Sequence, residues 1–396
     1  MPLSLTEDRK FKDTHPWIRF ALDMNRAPAA LWILLGECRS KCEHIAGVPL
    51  KPSVAENLHR LYLAKGVLAT TAIEGNTLSE EEVLQHLDGK LKLPPSREYL
   101  AQEIDNILAE CNRVLRSISE GEAPPLTLDR VRELNRTVLD GLSLESGVVP
   151  GEIRHHSVGV ARYRGAPHED CEFLLNRMCE WLESSDFEPP TKEDAIISAI
   201  LKAIVSHIYL AWIHPFGDGN GRTARLIEFQ ILISSGVPAP AAHLLSNHYN
   251  HTRAEYYRLL DASSRSGGDL MPFLVYAIRG FVDGLRSQLQ VIRDQQWGVA
   301  WENYVHEQFK GEHTVCAERR KHLVLDLSRK AGLVPISELS QLSPRVAAAY
   351  AKKTKRTLAR DVNALVKMRL VFSTPKGVSA RKHKILAFLP IQALEH

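Results

Sequence analysis

The chain has 396 residues, 44% of them hydrophobic and 24% charged, with 23 glycines and 21 prolines. That composition excludes collagen-like and coiled-coil arrays and wholesale disorder, and the length suggests two or three globular domains. The net charge of +3 hides a split: residues 317–396 hold 17 Lys and Arg against five acids, a net of +12, while the first 316 residues net −9. A basic C-terminal module on a mildly acidic body is expected to face an anionic partner. No apolar run opens the chain and none is expected to span a bilayer, so it is read as soluble and cytoplasmic, without a membrane partner. The six cysteines are too scattered for a disulfide framework and are read as reduced thiols. Cys38 and Cys42 share a helix face near His44, but no second ligand pair completes a zinc site.

Ser53 and Glu56 have the spacing of a capping box after Pro52, and they open a helix with Leu58, Leu61, Tyr62, Leu68, Ala69 and Ile73 at helical intervals. Gly75 stops it. Ser79 and Glu82 cap a second helix, residues 99–117 read as a third, and residues 121–125 form a Gly/Pro-rich boundary. Between residues 158 and 165 lies a hairpin-like stretch, read as a flap. Residues 194–213 are almost continuously apolar and describe a core helix buried on most sides. After a glycine-rich break, residues 222–235 form another apolar helix, closed by Gly236, Pro238 and Pro240. Further on, residues 323–329 and 335–342 read as short helices. A helix follows Thr354, with Leu358, Val362, Leu365 and Val366 on one face and Arg356, Arg360, Asn363 and Lys367 on the other. Two strands are expected next, at residues 370–372 and 385–389, joined by a basic loop over residues 375–384.

The break between the two core helices reads His214-Pro215-Phe216-Gly217-Asp218-Gly219-Asn220-Gly221-Arg222-Thr223-Ala224-Arg225. Gly219 and Gly221 let the backbone approach an anion where a helix begins, and the free amides and the dipole there favour negative charge. Asp218 offers a hard oxygen for Mg²⁺. Arg222 and Arg225, three apart in the first turn, can reach one triphosphate, and without an anion both oppose the macrodipole. His214, before Pro215 and hence expected in extended backbone, is a candidate general base at the rim. Taken singly, each feature also fits a core histidine, a tight turn or a helix cap; twelve consecutive residues carrying all of them fit a nucleotide phosphate site.

These residues resemble the Fic (Fic/Doc) family, whose signature is H-P-F-x-[D/E]-G-N-G-R-x-x-R. The resemblance implies a mainly α fold: a Fic helical core with a small β-hairpin flap, an N-terminal helical region before it and a winged helix-turn-helix domain after it. The corresponding segments are residues 1–125 with an inhibitory helix, 126–290 as the catalytic core, 291–317 as a helical linker and 318–396 as the winged-helix domain. It further implies transfer of AMP from ATP to a Tyr, Thr or Ser hydroxyl of a target protein, with release of pyrophosphate and with auto-modification. His214 would deprotonate the hydroxyl, Asp218 would hold Mg²⁺, Gly219, Asn220 and Gly221 would bind the α-phosphate, and Arg222 and Arg225 the outer phosphates. Phe216 would anchor the loop in the core. Tyr256 and Tyr257 sit where relatives wall the adenine pocket, Ser264 stands at a position commonly Asn, and Gly221 stands where Doc-type kinases carry lysine.

A second match lies upstream, where Thr70 to Asn76 fits the inhibitory pattern [S/T]-x-x-x-E-[G/N]. Glu74, in the last turn of its helix, faces the negative end of the dipole, and Arg225 has the opposite misfit. Pairing them relieves both while filling the place of the ATP γ-phosphate. Two other functions stay open: removal of AMP from a modified protein, with Glu74 aligning a water, and an ATP-sensing, DNA-binding regulator. The basic module could bind DNA through Thr354 and the helix after it, or equally bind protein or support a homodimer.

Overall fold

The computed structural model describes residues 9–160 and 163–386. The chain divides into two compact units, one running through Leu289 and the other starting at Gln290.

The first unit opens with α1 (Phe11–Thr14), α2 (Ala29–Gly47) and α3 (Pro52–Ala72). The expected Ser53/Glu56 capping box does not form. Pro52 itself takes the first helical position, where its missing N–H is no loss, and Lys51 before it provides no side-chain cap. The box at the next helix, α4 (Glu80–Leu87), is real: Glu82 N donates to Ser79 Oγ (3.2 Å) and Ser79 N to Glu82 Oε2 (2.8 Å). Then come α5 (Glu98–Ser119) and α6 (Leu128–Val138), the latter capped by Thr127. Residues 121–125 are a loop that α5 and α6 pack across, and Gln230 Nε2 ties it down by donating to Pro124 O (2.9 Å). The flap is an antiparallel pair, β1 (Gly159–Val160) with β2 (Tyr163–Arg164).

Next are α7 (His168–Leu182), α8 (Ala195–Ile213) and α9 (Asn220–Ser234). The α8–α9 pair is the centre of the unit: α5 and α6 pack on α9, while α2 and α7 pack on α8. Ile200, Ile204, Ile208, Ile227 and Leu232 have no exposed surface. The expectation that no stretch is long and apolar enough to cross a membrane is corrected here. Lys192–Ile213 reaches that length and contains an 18-residue stretch with a mean hydropathy of 1.8, because a helix packed on most sides needs the same composition as one in lipid; 72% of that stretch is buried inside the protein. α9 starts two residues earlier than expected, at Asn220, because Gly219 takes φ 76° as its cap. It ends as expected, with Gly236 at φ 87° and Val237 N donating to Leu232 O. The unit continues through α10 (Ala239–Ala242), α11 (Leu244–His251), α12 (Arg253–Arg265) and into α13 (Met271–Gln308). All six cysteines are free thiols, and all but Cys316 are buried.

The second unit comprises the end of α13, α14 (Val315–Leu327), α15 (Pro344–Tyr350), α16 (Lys355–Lys367) and the hairpin β3 (Val371–Thr374) with β4 (Gly377–Ala380). Its own core holds Trp301, Val305, Val324, Leu339, Val346, Leu365, Leu370 and Val371. Here the expected boundaries shift. The helix expected at 323–329 is α14, which starts at Val315. Residues 335–342 supply only a 3-10 turn at Leu339–Gln341, and α15 follows them. The second strand lies at Gly377–Ala380 instead of 385–389: Pro375 and Lys376 turn the chain at once, and Val378 pairs with Val334. Ile385 ends a 3-10 turn, and residues 387–389 lie outside the described residues.

Candidate active site

α8 ends at Ile213, and His214 caps it with φ 49° and ψ 59°, its amide donating to Leu210 O (2.8 Å). The extended backbone expected before Pro215 is therefore corrected to a left-handed one, which a non-glycine residue keeps only under tertiary constraint. Arg154 supplies much of that constraint. Its buried guanidinium donates Nε to His214 O (2.7 Å), Nη1 to His156 O (2.5 Å) and Nη2 to the Ala166 carbonyl. Ile153 bridges to Phe216, the buried anchor of the loop, and Gly165 lies so close that a Cβ there would come 2.9 Å from His214 Cβ. Tyr163 of β2 donates to Trp212 O (2.8 Å), tying the flap to the end of α8.

Burial, reinforced by the charge of Arg154, lowers the His214 pKa to about 4, so the ring is neutral at pH 7. As a neutral imidazole the ring keeps one nitrogen able to accept a proton.

Asn220 is turned inward. Its Nδ2 donates to Phe216 O (2.9 Å) and its Oδ1 accepts from Phe216 N (3.0 Å), so the side chain braces the loop, and anion contact falls to the unpartnered first-turn amides of α9. The Asp218 side chain is half exposed at the mouth of the site. Arg222 donates Nη2 to Asp218 Oδ1 (3.2 Å) and Nη1 to Glu103 Oε1 (2.8 Å). Among the described residues no group of three His, Cys, Asp or Glu is placed to hold a metal, so a divalent cation here would take Asp218 together with nucleotide phosphates and water. That is the usual donor set for Mg²⁺.

Arg225 is fully buried and donates Nη2 to Glu74 Oε1 (2.5 Å) and to Thr70 O (2.9 Å). Its Nε and Nη1 have no hydrogen-bond partner, and neither does Arg222 Nε. Such orphaned buried donors mark a site shaped for acceptors it lacks. Burial by itself raises the Glu74 carboxyl, but the charge and hydrogen bond of Arg225 outweigh it and hold the group below the ordinary glutamate range. Glu74 is thus an anion at the N-terminus of α9.

Above these groups opens a cavity of about 550 Å³, lined by Glu74, Tyr163, His207, Trp212, His214, Asn220, Gly221, Tyr256, Tyr257, Asp261 and Arg265, among others. Tyr257 stands exposed at its mouth. Tyr256 is buried behind, its hydroxyl 2.8 Å from His207 Nε2. The expected role of Ser264 is corrected: its hydroxyl donates back to Asp261 O (2.9 Å), as serine commonly does within a helix, and it does not line the cavity. Asp261 and Arg265 line it instead, one and two turns beyond Tyr257, a spacing that could have been noticed. Glu103 and Arg154 had no such local signal.

Residues 125–232 match the sequence profile of the Fic/DOC family. The chain carries a Fic/DOC-family domain. Around that Fic domain the chain is 31% identical over 213 residues to protein adenylyltransferase fic-1 of Caenorhabditis elegans and 32% identical over 214 residues to protein adenylyltransferase Fic of Nematostella vectensis. These alignments cover 54% and 53% of this chain but only 38% and 45% of the relatives, so the chain spans less than half of either. Among solved structures, a Fic family protein from Desulfovibrio desulfuricans superposes over 90% of this chain and 97% of its own, with a TM-score of 0.56 at 19% identity. A Fic-1 fragment from C. elegans covers 67% of this chain and 74% of its own, with a TM-score of 0.53 at 24% identity. At these identities the superpositions establish the fold of the Fic domain and its helical surroundings.

Proposed function

We propose that this chain is a protein adenylyltransferase held inactive by its own Glu74. It moves AMP from ATP to a Tyr, Thr or Ser hydroxyl of a target protein, its own surface included. The observation that carries this reading is a neutral His214 beside the N-terminus of α9, where Arg225 has two buried donors without acceptors. In the reaction the target oxygen attacks the α-phosphorus while the bond to the β-phosphate bridging oxygen breaks. The hydroxyl proton passes to the free nitrogen of His214, and pyrophosphate leaves. The amides of Asn220 and Gly221 face the α-phosphate, and Arg222 and Arg225 face the outer phosphates. The flap, held by Tyr163 and Arg154, lies beside the attacking hydroxyl. Positioning and fixed charge supply the acceleration. A Mg²⁺ ion held by Asp218 would neutralise phosphate charge.

Inhibition follows from occupancy: with Glu74 on Arg225, a γ-phosphate has no place there. The names of the matched relatives, both protein adenylyltransferases, support the transfer of AMP. Removal of AMP is the second reading, favoured by an ionised Glu74 lining the same cavity as His214, where it can orient a water. Wild type, Glu74→Gly and Glu74→Gly with His214→Ala are incubated with α-labelled ATP and a cell lysate. Label should appear on protein with Glu74→Gly and not with the double variant; equal labelling by wild type and Glu74→Gly refutes inhibition, and labelling by the double variant equal to that of Glu74→Gly refutes the chemistry.

A further inference from the structure

The second unit carries a surface that adenylyl transfer does not use. Residues 343–386 contain 12 Lys and Arg and one acid, Asp361. That acid is buried, and its carboxylate accepts from Arg319 Nε (2.8 Å), Arg320 Nε (2.8 Å) and Tyr350 OH (3.0 Å), so it offers nothing to the surface. On α16, Leu358, Val362 and Leu365 enter the unit's core. Arg356, Arg360, Asn363 and Lys367, spaced by four, three and four residues, form an exposed stripe about 16 Å long on the opposite side. The ion pairs of this unit engage Arg319, Arg320, Lys321, Arg329 and Arg345, none of them on the stripe. Lys355 at the start of α16 and Lys352 and Lys353 in the turn before it extend the stripe, and Lys376 is exposed at the tip of the β3–β4 hairpin.

We propose that this unit binds duplex DNA, with α16 in the major groove and the lysines of the turn and hairpin on flanking phosphates. Three observations converge on that partner. A helix, a four-residue turn over 351–354, a second helix and a hairpin follow one another, α14 packs on α15, α16 and β4, and Val334 bridges to Val378; this is the element order of a winged helix-turn-helix. A major groove about 12 Å wide admits one helix, and Arg and Asn are the side chains that pair with two acceptor or donor atoms on guanine and adenine edges. The major groove of A-form RNA is too narrow for α16, and α16 has no aromatic residue to anchor a protein partner. The inference does not depend on adenylyl transfer.

The test uses the full chain and a fluorescent 24-base-pair duplex of mixed sequence, titrated by anisotropy between 50 and 200 mM KCl. Four to six phosphate contacts should give a slope of log affinity against log salt of about −4 to −5. Lys352→Gln with Lys353→Gln, which removes two phosphate contacts, should lower affinity at least tenfold at 50 mM salt and make the slope shallower by about 2, with circular dichroism unchanged. Absence of binding at 50 mM by the folded chain, equal binding by the double variant, or tighter binding of a matched RNA duplex would each overturn the proposal.

Discussion

The carboxylate of Glu74 occupies the space that a side chain on Gly221 would fill: a Cβ there would lie 2.0 Å from Glu74 Oε1. The glycine that opens the phosphate loop also admits the group that blocks it. Gly221→Ala should therefore push the Glu74 carboxylate off Arg225. The expected result is a lower melting temperature for the nucleotide-free protein, with no further loss when Glu74→Gly is added. Additive losses in that double variant, read by thermal melts, would show the two residues to be independent.

Glu74→Gly alone leaves Arg225 with one carbonyl partner and an uncompensated charge. Breaking a buried ion pair from one side costs about 3–5 kcal/mol, and the partial exposure of Glu74 reduces that to about 1–3 kcal/mol. A triphosphate can restore the missing charge. Mg·ATP should accordingly raise the melting temperature of Glu74→Gly more than that of wild type, and an equal shift would contradict competition for Arg225.

His214 gives a pH dependence of known sign. Its pKa falls from 6.5 when unfolded to about 4 when folded, first through burial and then through Arg154, so the native state holds fewer protons than the unfolded one between those values. Its contribution to stability is complete above about 6.5 and is lost as pH falls toward 4. The base is unprotonated over the same upper range, so kcat/KM of Glu74→Gly should be flat from pH 8 to 6 and decline only below about 5. An acid limb centred near 6.5 would mean that the ring is solvated in solution.

Arg154 is a positioning residue, since it acts through the His214 backbone and the base of the flap. Arg154→Met removes three hydrogen bonds from a charged donor to the carbonyls of His214, His156 and Ala166 and leaves Ala166 only the weak thiol contact of Cys171. We expect a loss of about 2–4 kcal/mol in urea unfolding and, in the Glu74→Gly background, at least a tenfold fall in kcat. The KM for ATP should change less, because the phosphate groups lie on α9.

Glu103 holds one Nη of Arg222 while accepting from Asn76 Nδ2 (2.8 Å), two residues beyond Glu74. Glu103→Gln keeps the Asn76 contact and loses the charge that aims the guanidinium. Calorimetry should show Mg·ATP binding weakened about fivefold, by roughly 1 kcal/mol. Tighter binding would show instead that Glu103 competes with phosphate.

The local part of this protein was legible in its sequence. His214 through Arg225 is contiguous, the apolar runs of α8 and α9 mark a buried pair, the Ser79 box caps its helix, and the basic C-terminal excess needs only counting. The match of Glu74 to Arg225, 151 residues apart, was legible through the resemblance, because Thr70 to Asn76 fits the family's inhibitory pattern; the structure moves Glu74 from the expected last helical turn to a turn two residues past the end of α3, still facing the negative end of that helix. Only the tertiary structure decided what lies between distant elements. Arg154 reaches His214 across 60 residues and Glu103 reaches Arg222 across 119, and neither sits in a periodic pattern or motif that would mark it. The left-handed His214 reverses the preference of a residue before proline because Arg154 and the packing of Gly165 outweigh a local bias of backbone torsion. The same holds for Asn220, whose amide type suggests a ligand contact but whose two polar atoms are both taken by Phe216. Short-range preference sets which elements form; contacts closed over many residues set where their side chains point.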